Sequence, residues 1–438
     1  MAAPKEEKKK EQVSLDEMLF AENLWDKYLT DLKGPEPEKD KDDPKEKLRE
    51  DLKKQGLDLG KDDPVGFSWL SSNKDGLRAV PKEFKLLGRE VGEVVIRGRD
   101  SRPVEATVSL FNRGDDGEIT FASYDAKMKE WKGMIDTKMT GVRAETRNTQ
   151  VGAVPVTGFS WKKGNTAIAL EGSVGKDKRA EFLRLRFVSL SAAKEAPNKM
   201  AKRNTFVENV KKDDKGFTYI SGIPMVDQGE KGYCVVATIE RVARYFGVQM
   251  DQHEMAQLAN TDENGTDGDA MKKAFQKVTG KIHLRTLELV KYDDGQIKRD
   301  LRNYNTAAKK AGVKTFDEDP EDFNPLRFWF DAHKETFRDM KRTQAGYSVF
   351  SRKVKEYVDQ GVPVCWTLFL GMFKEGDLPQ SFGGHMRLIY GYDYTSPDPA
   401  NHKIYYTDSW GEGHEQKTMR VDEAYSMTMG LYVMLPNQ

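Results

Sequence analysis

Apolar positions change their spacing several times along the chain, and each change marks a predicted element. Leu15, Met18, Leu19, Trp25, Tyr28, Leu29 and Leu32 recur at roughly helical spacing, which predicts a helix with one apolar stripe. Ser14 and Glu17 have the spacing of a capping box at its start, and Gly34-Pro35 ends it. Residues 35–63 then lose apolar periodicity and read as a charged linker. Periodicity returns over 64–195. Glu93–Ile96 and Val104–Phe111 read as strands joined by the turn Gly98-Arg99-Asp100-Ser101. Phe121, Tyr124, Met128, Trp131, Ile135 and Met139 step by three or four, which is one helix face and a core stripe. Ala167–Glu171 is a further strand, and Phe182–Val188 alternates Leu183, Leu185 and Phe187 against Arg184 and Arg186. The order strand-strand-helix-strand-strand predicts a small α+β domain with no catalytic constellation of its own.

From residue 196 the pattern differs. A helical spacing of Val235, Ile239, Val242, Ala243 and Phe246 follows Cys234 directly. Residues 281–345 are highly charged and hold Phe323, Phe328, Trp329, Phe330 and Phe337, which predicts a helical insertion packed through its aromatics. Gly361-Val-Pro-Val-Cys365-Trp-Thr-Leu-Phe-Leu reads as a buried strand, with Cys365 in the core. A second apolar run opens at His385, and a third strand, Lys403 to Thr407, ends on Asp408. Gly265-Thr-Asp-Gly-Asp269 shares only composition with a calcium loop and is expected to cap a helix starting at Ala270.

Length and composition narrow the function. A chain of 438 residues points to two domains, here 64–195 and 196–438, after a helix and linker at 1–63. Lys+Arg and Asp+Glu are both 71, so no net field draws it to nucleic acid. No apolar run approaches the roughly 18 residues that cross a bilayer. Two cysteines are too few for a disulfide framework, and no two histidines or cysteines stand at metal-ligand spacing. The start Met-Ala-Ala-Pro runs straight into charges, which leaves the compartment open between an exported protein with its signal removed and a cytoplasmic one. Oligomeric state is not legible.

Three segments carry candidate chemistry. Cys234 in Gln228-Gly-Glu-Lys-Gly-Tyr-Cys234 is predicted at a helix N-terminus, where unpaired N–H groups and the dipole favour thiolate. Gln228, six residues upstream, can return its amide to the thiol as an oxyanion donor. The midpoint of 385 and 408 falls between Ser396 and Pro397, inside the turn-rich Tyr394-Thr-Ser-Pro-Asp-Pro-Ala-Asn. A symmetric hairpin there sets Asp408 directly opposite His385, close enough to hold one ring nitrogen and leave the other for a thiol.

Here the chain resembles the papain-like cysteine peptidases. Gln228 to Cys234 is similar to their segment in which Gln precedes the nucleophile by six residues, and Thr407-Asp-Ser-Trp-Gly411 resembles their Asn-Ser-Trp-Gly. Gly383-Gly-His-Met-Arg-Leu-Ile-Tyr-Gly-Tyr392 resembles the histidine strand of the bacteriocin-processing bacterial group. The resemblance covers about 220–280 and 350–438. It implies Cys234 as nucleophile, His385 as general base and acid, Asp408 orienting His385, Gln228 as oxyanion donor and Trp410 as a shield. The departures are Asp408 where papain has Asn, and Val235 where papain has Trp. No nucleotide-binding cassette follows, which argues against export-linked leader processing.

The expected fold class is therefore α+β: a papain-like C-terminal domain, helical lobe plus antiparallel sheet, after a smaller α+β domain. The expected activity is hydrolysis of peptide or isopeptide bonds in a peptide or protein substrate, with no metal or organic cofactor. Amine transfer in the manner of a transglutaminase, and peptide binding on an inactive scaffold, are the alternatives from the same residues.

Overall fold

A computed structural model describes residues 14–34, 66–79, 84–149, 154–175, 177–195, 203–229, 232–248, 251–259, 279, 284–319, 324–376, 378–380 and 382–436. The expected linker over 35–63, the turn at 265–269 and the helix start expected at Ala270 lie outside these residues. The chain divides into two compact units, Met1–Gln150 with Pro155–Ala196, and Val151–Val154 with Pro197–Gln438.

In the first unit the N-terminal segment is not one helix. It forms the helices Leu15–Leu19 and Leu29–Lys33 with a 3-10 turn, Leu24–Asp26, between them. Ser14 caps the first as its spacing predicts, accepting from the Glu17 amide. The break follows from docking at three places. Asp16 Oδ1 accepts from Leu87 N, Trp25 Nε1 donates to Thr166 Oγ1, and Leu29 N donates to Ser101 O. These tertiary bonds outweigh helix continuity, and the apolar stripe is still buried apart from Tyr28, which is exposed.

The sheet of this unit is larger than its sequence pattern suggests. Its strands are β1 (Ser68–Trp69), β2 (Gly76–Ala79), β5 (Val94–Arg99), β6 (Arg102–Asn112), β7 (Glu145–Thr149), β8 (Val156–Lys163), β9 (Thr166–Val174) and β10 (Ala180–Ser189). They pair antiparallel in the order β1-β2-β5-β6-β10-β9-β8-β7, with a separate small hairpin of β3 (Lys85–Leu86) and β4 (Arg89–Glu90). Asp100 and Ser101 both take positive φ in the tight turn between β5 and β6, the geometry of a two-residue hairpin. The helix Phe121–Lys138 buries Tyr124, Met128, Trp131 and Ile135, whereas Phe121, expected on the same stripe, is exposed at the helix start. On β10, Leu183, Leu185 and Phe187 enter the core as the alternation predicts, but Arg184 is buried too, paired with Glu171.

The second unit mixes helices with an antiparallel sheet. Its strands are β11 (Val210–Lys212), β12 (Thr218–Ile220), β13 (Leu284–Lys291), β14 (Val364–Leu370), β15 (Gly383–Asp393), β16 (Lys403–Thr407), β17 (Lys417–Arg420) and β18 (Thr428–Pro436). The order is β11-β12-β15-β14-β18-β13, and β16 adds to β15 and carries β17. All seven residues of β14 are buried, which is why that segment reads as an unbroken apolar run. The helices Cys234–Tyr245 and Gln252–Ala259 lie in the chain between β12 and β13.

The segment expected to be a wholly helical insertion is corrected at its start. Leu284–Lys291 is a strand at the sheet edge, paired along β18. Its Arg285, Glu288 and Lys291 hid the pattern, because an edge strand tolerates charge on its open side. The rest is helical, over Asp294–Ala311, Pro325–Asp331 and Lys334–Arg342. Phe328 and Phe337 meet Tyr304 and Phe316 in a cluster of edge-to-face and tilted rings. Phe323 lies outside the described residues.

Candidate active site

Cys234 is the first residue of the helix Cys234–Tyr245, as the spacing after it predicts. Its backbone N–H therefore lacks a partner within the helix. The helix is held at depth by its own charges. Glu240 pairs with Arg244 and accepts from Gln252 N, while Arg241 donates to Pro224 O, Asp408 O and Thr407 Oγ1. Arg241 thus ties the helix that starts at Cys234 to the strand end that presents Asp408.

His385 is the third residue of β15, opposite Leu368 of β14. Its ring is fully buried, and Nε2 lies 2.8 Å from Asp408 Oδ1. The hairpin is not the symmetric one expected. A register shift between Ile389 and Gly391 pairs Leu388 with Thr407, so continuing the ladder sets Asp408 beside Arg387. His385 reaches the carboxylate diagonally, because residues 385 and 387 point to the same face of β15. Trp410 stacks on the His385 ring at 4.2 Å between centroids and 7° between planes.

The other ring nitrogen, Nδ1, makes no hydrogen bond of normal geometry, and His385 is near enough to the Cys234 thiol to lower its pKa. A looser resting contact of this kind tightens when substrate is bound. The electrostatics are consistent with a thiolate–imidazolium pair. Burial pushes the Cys234 thiol up, but His385 and the backbone amides of Met386 and Val235 bring it below the ordinary cysteine value. Burial likewise lowers His385, and Asp408 and Cys234 more than reverse it, so its pKa is raised. Asp408 is buried, which favours its neutral form, but the Arg387 charge, His385 and Lys417 lower its pKa to about 2.

Gln228 is buried and held at two points. Its backbone N–H donates to Ser409 O at 2.8 Å, and its Oε1 accepts from Ser409 Oγ at 2.7 Å. Fixing the amide oxygen on Ser409 sets the direction of the amide N–H pair. Cys365 is fully buried in β14, and burial pushes its thiol up to about 12. Neither cysteine is in a disulfide.

Four residues here escaped the sequence pattern: Ser409, Arg241, Glu375 and Arg387. Arg387 had a signal that went unread. A lone arginine inside an apolar strand must find a buried carboxylate, since an unpaired charge there is prohibitive. Among the described residues no group of His, Cys, Asp and Glu is arranged to hold a metal ion. Among them, too, no helix is long and apolar enough to cross a membrane.

Two family models match the chain. One, the Peptidase C39 family, matches residues 222–298, and the other, described as Peptidase_C39 like family, matches 324–433. Together they span Gln228, Cys234, His385 and Asp408, and they reach further into 281–345 than the sequence resemblance does. No curated protein matches the chain. Among solved structures the chain is similar to the peptidase domain of Streptococcus ComA, a bi-functional ABC transporter involved in a quorum sensing pathway. That likeness is 15% identical, covers 49% of this chain and 99% of that one, and has a TM-score of 0.26.

Proposed function

We propose that this chain, a papain-like cysteine peptidase similar to the Peptidase C39 family, hydrolyses peptide or isopeptide bonds through Cys234, His385 and Asp408. What supports the proposal is the buried His385–Asp408 hydrogen bond, with His385 near enough to the Cys234 thiol to lower its pKa. Asp408, ionised and acceptor-only, makes Nε2 the donor and leaves Nδ1 to exchange a proton with the sulfur. The Cys234 thiolate adds to the carbonyl carbon. The resulting oxyanion receives hydrogen bonds from the Cys234 backbone N–H and the Gln228 amide. His385 then protonates the leaving amine as the C–N bond breaks, which gives a thioester. A water deprotonated by His385 attacks the thioester, and the acid product leaves with the thiolate restored. Trp410 covers one face of the imidazole and keeps water from the His385–Asp408 bond.

The test is alkylation by iodoacetamide across pH in the wild type, Cys234→Ala and His385→Ala, read by peptide mapping. The expected result is modification of Cys234 well below the free-thiol range of about 8.5, with that low-pH arm lost in His385→Ala. A Cys234 that reacts only as a free thiol does, or not at all, rejects the reading. Amine incorporation in place of hydrolysis of a protein substrate would reassign the acyl acceptor and leave the nucleophile in place.

A further inference from the structure

The oxygen that binds His385 is shared. Asp408 Oδ1 accepts from His385 Nε2 at 2.8 Å and from Arg387 Nε at 2.9 Å. The Arg387 side chain is fully buried. It lies 4.5 Å from the Tyr406 ring centroid and 5.8 Å from that of Trp366. Its Nη1 pairs with Glu375 Oε2 at 2.9 Å, and the same carboxylate accepts from the Tyr406 hydroxyl. A chain of alternating charge therefore runs from the imidazole through Asp408 and Arg387 to Glu375. Lys417, from β17, stands 3.9 Å from the other Asp408 oxygen. Arg241, from the helix that starts at Cys234, donates to the Asp408 backbone carbonyl.

Simple packing does not account for this arrangement. A buried carboxylate that only had to orient a histidine would be satisfied by neutral donors. A guanidinium on the same oxygen competes with the imidazolium for its charge, which changes how strongly the histidine holds its proton.

We propose that Arg387 is a positioning residue of the catalytic set: it holds the Asp408 carboxylate ionised beneath His385 and, balanced by Glu375, sets the pH window in which the Cys234–His385 pair is charged. This rests on the catalytic reading above. Arg387 acts on His385 through the Asp408 oxygen that both bond. Its positive charge favours thiolate and disfavours imidazolium. Removing it therefore raises both limbs of the Cys234 reactivity profile, and removing Glu375 lowers both.

The experiment compares the pH profile of Cys234 alkylation and of peptide hydrolysis in four proteins: wild type, Arg387→Lys, Glu375→Gln and the double variant Arg387→Met/Glu375→Gln. The double variant removes both buried charges and avoids stranding one. Its limbs are expected to move to higher pH by less than the roughly one unit that one charge a few ångströms away gives at an effective dielectric of about 20, because losing Glu375 offsets part of losing the nearer Arg387. Glu375→Gln, which needs no core rearrangement, is expected to move them the other way. Arg387→Lys keeps the charge and is expected to hold the limbs near their wild-type positions at a reduced rate. Limbs that stay fixed in both Glu375→Gln and the double variant, with circular dichroism unchanged, overturn the proposal and leave Arg387 a structural ion pair. A double variant that fails to fold leaves Glu375→Gln to decide, since only the proposal gives that shift its sign. A wild type without a His385-dependent low-pH arm overturns the catalytic reading and this proposal together, whereas a wild type with that arm and unmoved variants overturns this proposal alone.

Discussion

Asp408→Asn separates the charge of the carboxylate from its shape. Asparagine keeps an oxygen where Oδ1 now accepts from His385 and Arg387, so the hydrogen-bond geometry survives while the charge is lost. The Asp408 pKa is lowered to about 2, because Arg387, His385 and Lys417 outweigh the burial that would raise it. Against an ordinary aspartate near 3.9, that is a drop of roughly two units, or on the order of 2–3 kcal/mol of stability at neutral pH. Losing one member of a buried pair costs about 3–5 kcal/mol, and the Glu375 partner that Arg387 retains holds the loss toward the low end of that range. The sign follows from the depressed pKa. The stabilisation is fully present above the unfolded value and is lost as pH falls through the folded one. The wild type should exceed the variant by about 2–3 kcal/mol at neutral pH, and the gap should close as pH falls from about 4 to 2. Cys365 offers a local reporter, since it is buried in β14 and is the remaining thiol in a Cys234→Ser background. Its loss of protection from 4,4′-dithiodipyridine in urea, at a series of pH values, measures opening of this unit. A gap below about 0.5 kcal/mol at neutral pH, or one that does not narrow in acid, would refute the assignment of a buried, charge-paired Asp408.

Other perturbations probe separate parts of the second unit. Gln228→Ala should lower kcat by about 10²–10³-fold with KM little changed, because an oxyanion donor acts in the transition state; a pure KM effect in steady-state kinetics would assign Gln228 to substrate binding. Lys341 and Asp300 form a buried pair at 2.7 Å, and Asp300 also accepts from Tyr292, Gln296 and Gln344. Lys341→Met should cost about 3–5 kcal/mol by chemical denaturation, and adding Asp300→Asn should recover most of it; no recovery would mean that Lys341 acts through packing on its neighbouring rings. Gly361 has φ +70°, and a Cβ there would meet Phe206 O at 2.0 Å. Gly361→Ala should therefore destabilise by at least about 2 kcal/mol, and a neutral result would show that the backbone near Phe206 yields freely.

Much of the candidate site was legible from local chemistry. Cys234 ahead of an apolar helical stripe, Gln228 six residues before it, and a histidine and an aspartate flanking a turn-rich segment are short-range signals. The core stripe of the helix Phe121–Lys138 and the strands on either side of Asp100-Ser101 were readable for the same reason. Each depends on periodicity within one element, which the chain carries wherever it folds.

What only the tertiary structure decided depends on partners far apart in the chain. The N-terminal stripe is buried as its spacing implies except at Tyr28, but its three anchors, Leu87, Ser101 and Thr166, broke the helix that the spacing predicts. Leu284–Lys291 became a strand because the β18 edge was open to receive it. The shift near Ile389 set Asp408 opposite Arg387, on the strand face that His385 shares, so one oxygen serves both. Glu375, Ser409 and Arg241 entered the site by the same route. Hydrophobic periodicity tells a segment which face to bury. A buried charge takes whichever opposite charge the fold brings within reach, and no spacing along the chain encodes that choice.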